Sequence, residues 1–161
     1  MSAGQRGWLV YVIALVLAFG TASLGGAVTD LGDWYQNLEQ PPWKPPDFAF
    51  GPVWTTIFAL LAVAGALAWQ RATTARQRRR IALAFAANGL LNVGWSFLFF
   101  YVKRPDWSVL EVGFLWLSIV IMIIVSRASS RLAGWLLVPY LVWVSFAAVL
   151  NYAVVERNAP F

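Results

Sequence analysis

The sequence predicts an all-α membrane protein, a bundle of five transmembrane helices forming one domain over residues 1–161. Composition is the first indication: 60% of residues are hydrophobic and 12% are charged. Five apolar runs supply the second, at about 8–28, 48–69, 81–102, 107–125 and 132–155, each close to the ~20 residues that cross a hydrocarbon core. The third is the segregation of charge. The amino terminus and the loops after the second and fourth runs carry Arg6, Arg71, Arg76, Arg78, Arg79, Arg80, Arg127 and Arg131 and no acid. The other side holds Lys44, Lys103, Arg104 and Arg157 with all seven acidic residues. By the positive-inside rule the amino terminus is expected on the cytoplasmic side, in a bacterial cell membrane.

The first run is longer than the about 7 to 15 residues of a signal-peptide core and is expected to stay as a helix. Ala14, Ala18, Ala22 and Gly26 recur along it every four residues. Such a stripe lets backbones approach closely in lipid. It serves equally for packing inside the bundle or for a dimer seam, and Ala82 and Ala86 on the third helix offer an alternative seam. The second helix has Gly51-Pro52 near its start, with proline expected in the first turn, where its missing donor costs nothing. In the fourth, Ser108 and Glu111 have the spacing of a capping box, which leaves no charge in the middle of any span. In the fifth, Pro139 lies well inside and is expected to bend the helix. The run RQRRR fixes topology, and no nucleic-acid partner is expected.

Between the first two helices, residues 34–54 hold five of the eight prolines, interleaved with three tryptophans, Tyr35 and two phenylalanines. Pro41, Pro42, Pro45 and Pro46 are expected to keep this stretch free of helix. A solvated linker has no use for such aromatic surface, so the segment reads as a lid packed on something. The alternative, an aromatic anchor in the membrane interface, fits less well with Asp30, Asp33, Glu39 and Asp47 outweighing Lys44, because an anchor on anionic lipid is basic.

The chain has no cysteine and no histidine. That excludes disulfides, thiolate catalysis, imidazole bases and the usual zinc and haem ligands, and no metal site is expected. The polar residues of the spans are uncharged. Asn88, Asn92 and Ser96 lie on one face of the third helix, beside Trp95 and Phe99; Trp143, Ala147 and Asn151 lie on one face of the fifth. At about 1.5 Å per residue these faces, with Trp54 and Phe58, share a depth beneath the proline loop. An aromatic, weakly polar cavity suits a large, flat, mostly apolar ligand held by stacking.

Taken together, these residues resemble the TspO/MBR, or translocator protein, family. The likeness is carried by Trp34-Tyr35, Leu38, Pro41, Trp43, Pro45-Pro46 and Gly51-Pro52-Val53-Trp54, then Asn92, Trp95 and Phe99-Phe100. In the fifth helix it continues through Pro139-Tyr140, Trp143, Phe146-Ala147 and Leu150-Asn151-Tyr152. It implies a homodimer that binds porphyrin, haem or sterol under the first long loop, through Trp34, Tyr35, Trp43, Trp54, Phe58, Asn92, Trp95, Trp143, Ala147 and Leu150. Asn88 and Ser96 depart from the glutamine and proline common in relatives. The family's sterol pattern appears as Leu150, Tyr152 and Arg157, at the membrane edge.

The leading expectation is a membrane tetrapyrrole-binding protein acting as sensor, carrier or scavenger, with sterol as a secondary ligand and no required cofactor. The resemblance also offers a light-dependent porphyrin-degrading enzyme using Trp54 and Trp143, whose reactivity would come from excited porphyrin and oxygen, since the chain supplies no conventional catalytic constellation. A third reading is a structural or partner-regulating protein. Met1 and Met122 are poorly placed to ligate haem iron, so binding is expected to rest on stacking with Trp54, Trp95 and Trp143, with Tyr35 the less favoured iron ligand.

Overall fold

In the computed structural model, which describes residues 3–161 and side chains from Gly7 onward, the chain is helical nearly throughout. Met1 and the side chain of Arg6 lie outside the described residues. The elements are α1 (Ala3–Ala27), α2 (Asp33–Gln36), α3 (Asp47–Arg71), α4 (Ala75–Ser96) with a π-helical turn (Phe97–Tyr101), α5 (Pro105–Arg127), α6 (Arg131–Leu136) and α7 (Val138–Asn158). Among the described residues, five stretches are long and apolar enough to span a membrane: Gly7–Ala27, Asp47–Arg71, Ala75–Tyr101, Pro105–Arg127 and Arg131–Asn158. α1 packs on α3 and α4, α4 on α5, and α5 on α6 and α7, while α6 closes the ring against α3.

Small residues set the close approaches. Ala18 is buried against Phe58 and Ala62 of α3, with Ala14 and Ala22 beside it. Ala14, Ala18 and Ala22 of the α1 stripe therefore pack within the bundle, whereas Gly26 is exposed. A Cβ on Gly65 would stand 2.9 Å from the Phe85 ring, so glycine is what lets α3 and α4 meet there. Ala82 and Ala86 remain exposed on α4.

Several helix ends differ from the sequence expectation for identifiable reasons. α4 begins at Ala75, six residues before its apolar run, because Thr74 and Gln77 form a capping box. The Gln77 N–H donates to Thr74 Oγ1 at 3.2 Å, and Gln77 Oε1 accepts from the Thr74 N–H at 3.2 Å. α3 begins at Asp47, so Pro52 stands in the second turn and not the first, and the stretch 34–54 is free of helix only between α2 and α3, where Pro41, Pro42, Pro45 and Pro46 stand. The expected Ser108–Glu111 box does not form. Proline at the start of α5 draws the helix back to Pro105, and the Ser108 hydroxyl lies 2.8 Å from both the Pro105 carbonyl and Asn151 Oδ1. Glu111 is consequently inside the span, with both carboxylate oxygens buried and without a hydrogen-bond partner among the described residues. The expectation of charge-free spans is corrected at this one residue. The fifth span is not one bent helix. It breaks at Leu137, so Pro139 falls in the first turn of α7, where no donor is needed.

Candidate functional site

The π-helical turn builds the far wall of the site. Its wider turn, closed by Val102 N–H to the Phe97 carbonyl at 2.9 Å, turns two consecutive residues, Phe99 and Phe100, inward, and both are buried. Lys103 follows with φ 58°, a left-handed residue that ends the helix in the manner usually reserved for glycine.

The proline-rich lid lies on this wall. The short helix α2 sets Trp34 edge-on to Phe99 with centroids 6.1 Å apart, and Tyr35 against Phe100 at 5.7 Å. Two polar clusters pin the lid. Near its second limb, Lys44 Nζ donates to Tyr35 Oη at 2.9 Å and to Asp47 Oδ1 at 2.6 Å, and the Tyr35 hydroxyl donates to the same carboxylate at 2.9 Å. In its middle, Glu39 is tied to the last turn of α7 by Asn158 and Arg157. Burial raises the Tyr35 phenol above its ordinary value, with Lys44 pulling the other way. For Lys44 burial alone acts downward, but the bonds to Asp47 and Tyr35 outweigh it and the net shift is upward.

Beneath the lid is a cavity of about 530 Å³, within the range of small-molecule sites. Eight of the ten residues expected to contact ligand line it: Tyr35, Trp54, Phe58, Asn92, Trp95, Trp143, Ala147 and Leu150. The other two do not. Trp34 is turned onto Phe99, and Trp43 packs edge-on against Phe146 on the outer side and is 46% exposed. Both brace the lid and leave the cavity surface to other residues. Trp54 and Trp143, the pair named for photo-oxidation, both line the cavity. The sterol-pattern residues share no surface: Leu150 faces the cavity, Tyr152 faces outward, and Arg157 pairs with Glu39 at 3.2 Å.

The asparagine stripes do face inward and are largely occupied with each other. Asn92 Nδ2 donates to Tyr140 Oη at 3.0 Å, Tyr140 donates to Asn88 Oδ1 at 3.3 Å, and Asn88 Nδ2 donates to Ser118 Oγ at 2.8 Å. The Trp95 indole N–H donates to Asn151 Oδ1 at 3.0 Å. These bonds fix the rings of the wall, which is what a stacking site requires. Sequence reasoning missed Gln40, Lys44 and Asp47, which line the cavity from the lid side. The available signal was Lys44 itself, the one base in an acidic aromatic segment. A second, more open apolar groove of about 740 Å³ lies between α3 and α7 and shares Trp143 with the cavity.

The fold and site define an integral, multi-pass membrane protein with an aromatic cavity closed by a proline-rich lid. The chain belongs to the TspO/MBR family, whose model matches residues 12–157. It is similar to the tryptophan-rich protein TspO of Chlorobaculum tepidum, 35% identical over 93% of this chain and 95% of the relative. It is similar also to the tryptophan-rich sensory protein of Cereibacter sphaeroides, 31% identical over 94% and 92%. The translocator protein of Ovis aries is 31% identical over 78% and 75%.

Proposed function

We propose that the protein binds a tetrapyrrole, protoporphyrin or haem, beneath the lid and acts as a membrane sensor, carrier or scavenger of it. The observation that carries this is the cavity itself, where Trp54, Trp95 and Trp143 stand as broad aromatic faces around a space large enough for a flat macrocycle. Each stacked ring contributes about 0.5–1.5 kcal/mol beyond burial. The names of two relatives, a sensory protein and a translocator, agree with sensing or carriage. Titration of purified protein with protoporphyrin in the dark, followed by tryptophan quenching, tests it: saturable binding weakened by Ala147→Phe is expected, and non-saturable partition into detergent would overturn it.

A second reading, light-dependent degradation of the bound porphyrin, is favoured by one observation, that Trp54 and Trp143 both line the cavity. Illumination of the complex is then expected to yield a new pigment that the double variant Trp54→Phe, Trp143→Phe does not form. The proposed setting is a bacterial cell membrane with the amino terminus cytoplasmic, supported by the segregation of basic residues. The proposed assembly is a homodimer; the exposed Ala82 and Ala86 of α4 are the candidate seam. Sterol remains a secondary ligand in this proposal, held by the cavity and not by Leu150, Tyr152 and Arg157 acting as one surface.

A further inference from the structure

We propose that Lys44 is an anion-recognition residue of the cavity, and that the ligand taken there carries a carboxylate at its lid end. This deepens the tetrapyrrole reading, on which it rests, by selecting the acidic macrocycle over its neutral derivatives. Three side chains lining the cavity hold N–H donors that no acceptor in the described chain meets. An ammonium has three donors, and Lys44 places one on Tyr35 and one on Asp47, leaving the third. Gln40, four residues away in the same lid, has its Nε2 buried without a partner, and so has Trp143 its Nε1 on α7. Two other donors of the wall are matched, Asn92 to Tyr140 and Trp95 to Asn151.

Among the described residues, the buried unmet hydrogen bonding of the cavity lining is that of donors, Gln40 Nε2 and Trp143 Nε1. It calls for acceptors, and a carboxylate brings two strong ones together with a negative charge. The ion pair already present does not cancel this demand. Asp47 is 40% exposed at the rim, whereas the Lys44 side chain is 12% exposed, so water screens the acid more than the base. A ligand carboxylate reaching Lys44 from the cavity side meets the less solvated partner. A neutral ligand offers the spare Lys44 donor no charged acceptor, and a hydrogen bond to a charged group is the stronger kind.

The experiment compares protoporphyrin with its dimethyl ester, the same macrocycle without carboxylates, by tryptophan quenching in detergent in the dark. The wild-type protein is expected to prefer the diacid by about tenfold, the discrimination that one charge-assisted hydrogen bond supplies. Lys44→Met is expected to abolish the preference by weakening the diacid to the level of the ester, while Lys44→Arg retains it. Asp47→Asn separates recognition from lid closure, because it loosens the latch but keeps the ammonium; it is expected to weaken both ligands alike and leave the preference. Equal binding of diacid and ester by wild type, or a preference that survives in Lys44→Met, would overturn the assignment of Lys44 and leave the tetrapyrrole reading standing. Failure of both ligands to saturate would overturn both.

Discussion

Glu39 and Asn158 are 119 residues apart in sequence and clasp each other in both directions. The Glu39 N–H donates to Asn158 Oδ1 at 2.8 Å, and Asn158 Nδ2 donates back to the Glu39 carbonyl at 3.0 Å. The clasp joins the middle of the lid to the final turn of α7, so the helix that carries Trp143, Ala147 and Leu150 also holds down the loop above them.

Asn158→Ala removes both bonds of the clasp and is expected to cost about 1–3 kcal/mol of local lid stability. Hydrogen exchange of the amides from Leu38 to Lys44 is then expected to quicken by about tenfold or more, with the α-helical core unchanged. Arg157→Ala breaks only an exposed ion pair and is expected to change exchange little. Equal effects of the two variants would show that charge and not the clasp holds the lid.

The latch at Tyr35, Lys44 and Asp47 makes lid closure sensitive to alkali. Tyr35 and Lys44 both have folded-state values raised above the ordinary 10.0 and 10.5. In that window the closed lid holds protons that an open one gives up, so closure is fully stabilised below the ordinary values and loses stability as pH rises through the raised ones. Lid exchange is expected to accelerate beyond base catalysis above about pH 10, and the added acceleration is expected to be absent in the double variant Tyr35→Phe, Lys44→Met, which carries neither proton. An identical profile in the two proteins would remove the latch from the account.

Both carboxylate oxygens of Glu111 are buried, near Gly94, with no partner among the described residues. Glutamine keeps the shape and removes the charge, so Glu111→Gln is expected to be neutral or to stabilise by about 1–3 kcal/mol in thermal unfolding. A marked loss of stability would reveal a cation or donor that the carboxylate serves.

Ala18→Leu inserts three carbons into the contact with Phe58 and Ala62. The expected result is a destabilisation of about 1–3 kcal/mol from overpacking with the oligomeric state unchanged. A variant of wild-type stability that loses its self-association would return the α1 stripe to the dimer seam.

Topology can be read by labelling, since the chain has no cysteine of its own. Ala75→Cys, which spares the Thr74 cap, and Gln36→Cys are both exposed positions and are expected to react from opposite faces of sealed vesicles. Labelling of both from one face would contradict the crossing of α3 between them.

The five spans were legible because a membrane helix is specified by length and apolarity, which a sequence displays directly. Tyr35, Trp54, Asn92, Trp95 and Trp143 were legible through depth, helical face and family resemblance, and they do line one cavity. Trp34 and Trp43 were misplaced because side-chain direction within a proline-rich loop follows no period; only the packing on Phe99 and Phe146 decides it. Glu111 was misassigned because its spacing from Ser108 matches a cap that Pro105 pre-empts. The polar latch was invisible for a different reason: Lys44 and Asp47 read as solvated charges until the fold brings Tyr35 between them.

The π-helical turn from Phe97 to Tyr101 has a consequence for how such a wall can change over time. Within an α-helix, adding a residue rotates and lifts everything that follows, and a face built for one set of neighbours is presented to another. A π turn confines that disturbance to itself, since the surplus residue is stored in one widened loop of backbone. Here the stored residue is part of the pair Phe99 and Phe100, and α5 starts afresh beyond the left-handed Lys103. The wall beneath the lid can thus be enlarged or trimmed by inserting or deleting a single codon in this turn, while the descending helix and its pairings with α4 and α7 stay in register.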